Sequence, residues 1–258
     1  MNRSRLNLRL LLMLGVIGFS VISYYMKSSV NPITGETQRV GMTPEQEVAM
    51  GLQSAPQMAA EFGGEYQDAK VQSSIKQIGM KLVNGAGLST SPYRFDFHVL
   101  ADPETVNAFA LPGGQIFITV GLLKRLETED QIAGVLGHEI GHVVNRHSAE
   151  HMAKQSMWQG IVQGVAMGSD MSSAQIASVV ANMVNLKYGR SDELESDKFG
   201  LHYMKNTNYK PEQMIRVMEI LEQASGGQRG QSDFNSSHPS PENRIAKIKE
   251  EIALMKGQ

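Results

Sequence analysis

A mainly helical α+β fold with one small sheet is what this sequence predicts, on three observations. Phe95, Phe97 and Val99 alternate with Arg94, Asp96 and His98, the period of a strand with one buried face. Gln115 to Val120 offers a second strand between Gly114 and Gly121. From Thr128 onward the chain reads as helices joined by loops. Its 258 residues suit one large domain with accessory segments, long enough to bury a core. Lys and Arg number 24 against 26 Asp and Glu, so there is no positive excess to follow a nucleic-acid backbone, and no nucleic-acid partner is expected. The absence of cysteine excludes disulfides, thiolate nucleophiles and thiolate-bound metals together. Any metal must then be held by His and carboxylates.

Taken in order, residues 1–27 stand apart from the rest. Arg3, Arg5 and Arg9 precede an apolar run from Leu10 to Met26, which suits a membrane anchor with its N-terminus on the cytoplasmic side. The body of the protein then lies outside the cytoplasm. A secretory signal cleaved near Val21-Ile22-Ser23 is the alternative, and a buried core helix suits the flanking arginines poorly. Residues 28–42, with Asn-Pro and Thr-Gly turn signals, read as an extended tether, and 43–258 as the main domain. Thr43 N-caps a first helix with Pro44 in its opening position and Val48, Leu52 and Ala55 at apolar spacing. Val71, Ile75, Ile78 and Leu82 predict a second over Asp68 to Val83, ended by Asn84-Gly85-Ala86-Gly87. Trp158 to Met167 is apolar but too short to span a bilayer. Met152, Met157, Met167, Met171 and Met183 read as adaptable core filling or as a lid, and Gly226 to Ser237 as a polar, flexible loop.

The chemistry concentrates in Gly134-Val135-Leu136-Gly137-His138-Glu139-Ile140-Gly141-His142, an H-E-x-x-H in a helix that Thr128 and Gln131 begin with a capping-box pattern. His138 and His142, four apart, stack on one helix face and can grip a single metal ion, with Glu139 beside them as general base. Ile132, Val135, Leu136, Ile140 and Val143 form an apolar stripe, so the histidines point toward a cleft. His147-Ser148-Ala149-Glu150-His151 spells the inverted motif. On a continuous helix, however, His147 falls roughly 180° around from His138, which leaves His147 and His151 as a polar, partly exposed helix end. A catalytic zinc needs a third protein ligand and an open position. The acidic stretch Asp192-Glu193-Leu194-Glu195-Ser196-Asp197 supplies candidates: Glu193 and Asp197 share a helix face, so Glu193 can bind the metal while Asp197 accepts a hydrogen bond from a ligand histidine. Glu195 projects elsewhere. A solvated acidic helix start explains the same residues without a metal.

Four motifs in order carry a resemblance: Asn31-Pro32-Ile33-Thr34-Gly35-Glu36, Asn107-Ala108-Phe109-Ala110-Leu111-Pro112-Gly113-Gly114, the H-E-x-x-H, and Arg190-x-x-Glu193-x-x-x-Asp197. Together they resemble the M48 zinc metallopeptidases, membrane-linked endopeptidases that include envelope quality-control proteases of bacteria. The resemblance implies a zincin-like fold, one Zn2+ per chain, and Glu193 rather than Glu195 or Asp192 as the third ligand. Gly189 and Ser196 depart from the usual Ser and Ala without changing a ligand. It further implies a bacterial inner-membrane protein with its catalytic domain in the periplasm, or a periplasmic one if the signal is cleaved. Its expected partners are unfolded or misassembled envelope proteins, which it cleaves; oligomeric state is left open. A non-proteolytic holdase or assembly factor with a structural zinc is the alternative.

The remaining roles follow from that chemistry. Asn107, Ala108, Phe109, Pro112, Gly113 and Gly114 are expected to bind substrate, with Asn107 to Val120 as a wall whose strand edge accepts an extended peptide. Zinc-assisted attack by water leaves an oxyanion, for which His238 and Arg190 are candidate donors. His238 can instead fill the open zinc position at rest, making the loop before it a gate.

Overall fold

The computed structural model describes residues 3–168, 188–224, 234, 238 and 243–257. Two compact units form: Met1–Asn31, Gly35–Met42 and Ser148–Leu186 make one, and Pro32–Thr34, Thr43–His147 and Lys187–Gln258 the other. Met171, Met183 and all of Gly226 to Ser237 except Phe234 lie outside the described residues.

The first unit contains α1 (Arg3–Met26), β1 (Ser29–Val30), β2 (Thr37–Gln38) and all but the opening residue of α6 (His147–Gly168). Leu8–Met26 of α1 is long and apolar enough to cross a membrane. Within this unit α1 and α6 run antiparallel in close contact. A Cβ at Gly160 would collide with the Ser20 side chain, and one at Gly164 would lie 2.7 Å from Ile17 Cγ1. The segment expected to be a tether instead folds back. Ser29 pairs with Gln38 and Val30 with Thr37, and the Asn31 N–H donates to the Glu36 carbonyl at 2.8 Å.

The second unit contains α2 (Pro44–Glu61), α3 (Ala69–Gly85), β3 (Asp96–Leu100), β4 (Ala108–Ala110), β5 (Gln115–Thr119), α4 (Val120–Leu123), α5 (Glu129–Val144), α7 (Arg190–Asn206), α8 (Gln213–Ala224) and α9 (Arg244–Lys256). The predicted caps hold: Thr43 and Gln46 form a reciprocal capping box, and the Thr128 hydroxyl accepts from Gln131 N–H at 3.3 Å. The second helix is displaced from its expected range because the Asp68 carboxylate caps it from outside, taking the N–H groups of Lys70 and Val71. Val120 belongs to α4 rather than to the strand, since Thr119 Oγ1 accepts from Leu122 N–H and starts a helix there. The sheet order is β3-β5-β4, with β3 parallel and β4 antiparallel to β5, which leaves β4 on an edge.

At the centre of this unit lies α5, packed against α3, α7, α8 and β4. Leu82, Val99, Ile118, Leu136, Ile140 and Leu201 are buried around it. The unit is thus mainly helical α+β with a small sheet. Contrary to expectation, α5 does not run on through His147. It stops at Val144, and Arg146 takes a left-handed conformation with φ +58° before α6 begins. That backbone is uncommon for a residue other than glycine. It is held by the buried Arg146 guanidinium, whose Nε donates to Glu47 Oε1 of α2 at 2.8 Å.

Candidate metal centre

Glycine determines how closely the site helices approach. A Cβ at Gly141 of α5 would stand 2.9 Å from Ser196 Cα of α7, and one at Gly137 would stand 3.2 Å from Gly200 Cα. A Cβ at Gly200 would in turn press within 2.9 Å of the His138 nitrogen. The helices therefore meet backbone to backbone, and the short Glu193 side chain reaches both histidines of α5. Glu193 Oε2 lies 3.4 Å from His138 Nε2, and Oε1 lies 3.5 Å from His142 Nε2. The two Nε2 atoms are 3.0 Å apart. His238 completes the group, its Nδ1 3.4 Å from His138 Nε2 and 3.1 Å from Glu193 Oε1.

These four side chains offer donor atoms that all lie within 4.8 Å of one another. Tetrahedral zinc with bonds of about 2.0–2.1 Å keeps its ligand atoms about 3.3 Å apart, and the separations above cluster at that value. Both Glu139 oxygens, Glu193 Oε2 and His238 Nε2 are buried without a hydrogen-bond partner among the described residues, although the Arg244 guanidinium lies near Glu193. Leaving such groups unsatisfied is costly. The donor set, with two imidazole nitrogens facing each other and a carboxylate, fits one zinc ion.

A second layer braces the first. His138 Nδ1 lies 2.9 Å from Asp197 Oδ1, one helical turn beyond Glu193. Arg244, at the start of α9, donates from Nε to Asp197 Oδ2 at 2.7 Å and from Nη2 to Oδ1 at 2.8 Å, while its Nη1 sits 3.2 Å from Glu193 Oε2. Asp192 is not available to a metal, because its Oδ2 accepts from Gly189 N–H at 2.8 Å and caps α7.

Burial and charge separate the carboxyl groups. Burial raises the Glu139 carboxyl, and the neighbouring His238 and His138 offset this only in part, so its pKa stays above the usual value. Burial also opposes ionisation of Glu193, but His238, His138 and Arg244 outweigh it and hold that carboxyl well below the ordinary range. Asp197 is likewise lowered, its burial overcome by Arg244. Burial alone would lower His138, yet the hydrogen bonds and charges of Asp197 and Glu193 carry it to about 9; burial and His138 push His142 well below its usual value. A carboxyl driven up beside one driven down is the pattern that divides proton transfer from charge binding.

The structure thus brings together His138, Glu139, His142, Glu193, Asp197 and His238. Arg190 it does not: that residue is exposed at the start of α7 and makes no ion pair among the described residues. His138, Glu139 and His142 are at most 2% exposed. Tyr188 stacks on His142 at 4.3 Å, and Phe234 on His238 at 4.5 Å. Of the expected substrate wall, Ala108 and Phe109 lie in the edge strand β4, which packs against α5, and Asn107 just precedes it. Gly113 and Gly114, with φ of +81° and +114°, are buried in the turn after Pro112, where their carbonyls accept from Arg94 and Asp96 N–H. Sequence reasoning missed Arg244 and misplaced His147. The signal for Arg244 is its spacing: it shares a helix face with Ile248, Ile252 and Met255, all buried.

The profile described as Peptidase family M48 matches residues 69–252. The chain is 29% identical over 231 residues to the mitochondrial metalloendopeptidase OMA1 of Schizosaccharomyces pombe, covering 89% of this chain and 68% of that protein. It is 36% identical over 146 residues to the mitochondrial metalloendopeptidase OMA1 of Arabidopsis thaliana, covering 57% and 29%. With the beta-barrel assembly-enhancing protease of Yersinia pestis it shares 26% identity over 237 residues, covering 87% of this chain and 48% of the relative, so it spans about half of that protein.

Proposed function

Because this chain belongs to peptidase family M48, a family of metalloendopeptidases, we propose that it hydrolyses peptide bonds of misfolded or damaged envelope proteins with one zinc ion held by His138, His142 and Glu193. When bound, zinc polarises the scissile carbonyl and lowers the pKa of water toward about 7. Glu139 accepts a proton from the attacking water and passes it to the leaving amine. Asp197 takes the Nδ1 proton of His138 in a hydrogen bond, which leaves Nε2 as the metal donor, and Arg244 keeps Asp197 ionised and oriented.

His238 acts as a gate in this reading. A catalytic zinc keeps one position for water, and His238 Nδ1 stands where a fourth donor would, so it withdraws before substrate is cut. With Arg190 exposed and His238 among the donors, the gate is favoured over either residue as oxyanion donor. Peptide adds to the edge of β4, Ala108–Ala110, that pairs with no strand among the described residues, through main-chain hydrogen bonds that carry little sequence preference. Residues 1–27 hold the protein in a bacterial inner membrane and 43–258 form the peptidase domain on the periplasmic side; the apolar span Leu8–Met26 supports the first part of this.

One observation carries the reading: both oxygens of Glu139 are buried beside the donor cluster with no hydrogen-bond partner among the described residues. A structural zinc site has no use for that carboxylate. The test is casein hydrolysis and zinc content for wild type and Glu139→Gln. Loss of about 10²–10⁴-fold in hydrolysis with zinc retained is expected; undiminished cleavage, or no cleavage by wild type alongside intact capture of unfolded clients, overturns it in favour of a holdase.

A further inference from the structure

The reversal at Arg146 has a chemical consequence for the second imidazole of the centre. On a continued helix His147 would face away; instead its Nδ1 lies 2.9 Å from His142 Nδ1, and its Nε2 lies 3.0 Å from Glu195 Oε2. Ser196 Oγ is 3.3 Å from the same Nδ1. The His147 ring is 2% exposed, while Glu195 is 36% exposed at its side chain. Glu195, expected to project away from the metal, thus anchors the far end of a chain of three groups.

The protons along this chain can be counted. His142 turns Nε2 toward Glu193 and His138, and that nitrogen must offer a lone pair to bind a metal. Its proton is then on Nδ1, and two Nδ1 atoms 2.9 Å apart share a hydrogen bond only if the second accepts. His147 therefore accepts at Nδ1, carries its own proton on Nε2 and donates it to Glu195. A carboxylate can only accept when ionised, so Glu195 selects the tautomer of His147, and His147 selects that of His142. Asp197 does the same for His138 in one step. The Glu47–Arg146 pair holds the left-handed turn on which the arrangement depends.

We propose that His147, anchored by Glu195, is a positioning residue that fixes the Nδ1–H tautomer and the ring orientation of His142, so that His142 Nε2 faces the metal. This rests on the reading of His142 as a zinc ligand. It predicts asymmetry between substitutions. His147→Leu keeps bulk but removes the acceptor, and weakens zinc binding about 10- to 100-fold. His147→Asn places an amide oxygen near the former Nδ1 and recovers most of that loss. Glu195→Ala, at a partly exposed position where folding is not at risk, weakens binding about tenfold.

The experiment is zinc affinity of the full chain by competition with a chromophoric chelator, with circular dichroism as a check on folding and His142→Ala as reference. At saturating zinc, kcat should fall while KM for a casein peptide stays put, since His147 touches no substrate. Affinity within twofold of wild type for both His147→Leu and Glu195→Ala, with zinc lost in His142→Ala, overturns the positioning role alone. If His142→Ala binds zinc as wild type does, the metal-site reading itself has failed. Equal loss in His147→Leu and His147→Asn reduces His147 to core packing and likewise overturns the proposal.

Discussion

Gly141→Ala tests the idea that the metal centre is built by the contact between α5 and α7. The added Cβ would stand 2.9 Å from both the Cα and the carbonyl oxygen of Ser196. Ordinary carbon contacts begin near about 3.5 Å, so α7 must retreat by about 0.6 Å or more. Glu193 rides on α7, and donor positions at such sites tolerate about 0.5 Å. The substitution should cost about 1–3 kcal/mol in stability through overpacking and weaken zinc binding at least about tenfold. Gly134, two turns earlier on the same helix, supplies the control: its Cβ would meet Met204 Sδ and Met214 Cα at 3.7 Å, which is normal contact. Gly134→Ala should therefore leave zinc binding alone and add up to about 1 kcal/mol from helix propensity. Urea unfolding of zinc-loaded and chelator-treated protein measures the first quantity, and chelator competition the second. Zinc binding by Gly141→Ala equal to wild type, or effects of the same sign at both glycines, would refute the reasoning.

Arg244→Met leaves Glu193 and Asp197 buried without their cation and should destabilise the protein by about 3–5 kcal/mol. Arg244→Lys should recover only part, since an ammonium cannot reproduce the paired Nε and Nη2 contacts to Asp197; unchanged urea midpoints would count against this. The raised Glu139 carboxyl binds its proton more tightly in the folded than in the unfolded state, so its ionised form lowers stability above the unfolded pKa of about 4.3. Glu139→Gln should accordingly melt higher than wild type at pH 7.5, with the difference closing as pH falls below that value; a constant or reversed difference in thermal scans contradicts the shift. By the same shift, the acid limb of wild-type kcat/KM should lie above the ordinary Glu pKa. His238→Ala should retain zinc and cleave casein faster, as an opened gate requires; slower cleavage with full zinc assigns His238 to oxyanion binding instead.

Local signals were legible in the sequence and distant pairings were not. The H-E-x-x-H sits within one helix, and Glu193 and Asp197 within another, so spacing alone orders those side chains. Their meeting depends on Gly137, Gly141 and Gly200, whose role as a close seam appears only once both helices are packed. Arg146 carries no mark of its positive φ, because only the buried contact with Glu47 selects it. The misplacement of His147 follows from that one residue. β4 spans just Ala108–Ala110, too short for a period-two pattern to register. Arg244 meets Asp197 across 47 positions, and its own helix shows only the face it shares with buried isoleucines.

X-ray absorption at the zinc edge on the purified full chain addresses the central claim most directly. One zinc per chain is predicted, ringed by nitrogen and oxygen at about 2.0–2.1 Å with imidazole scattering, and lost or severely depleted in Glu193→Ala. A full complement of zinc with an unaltered shell in that variant would contradict the account.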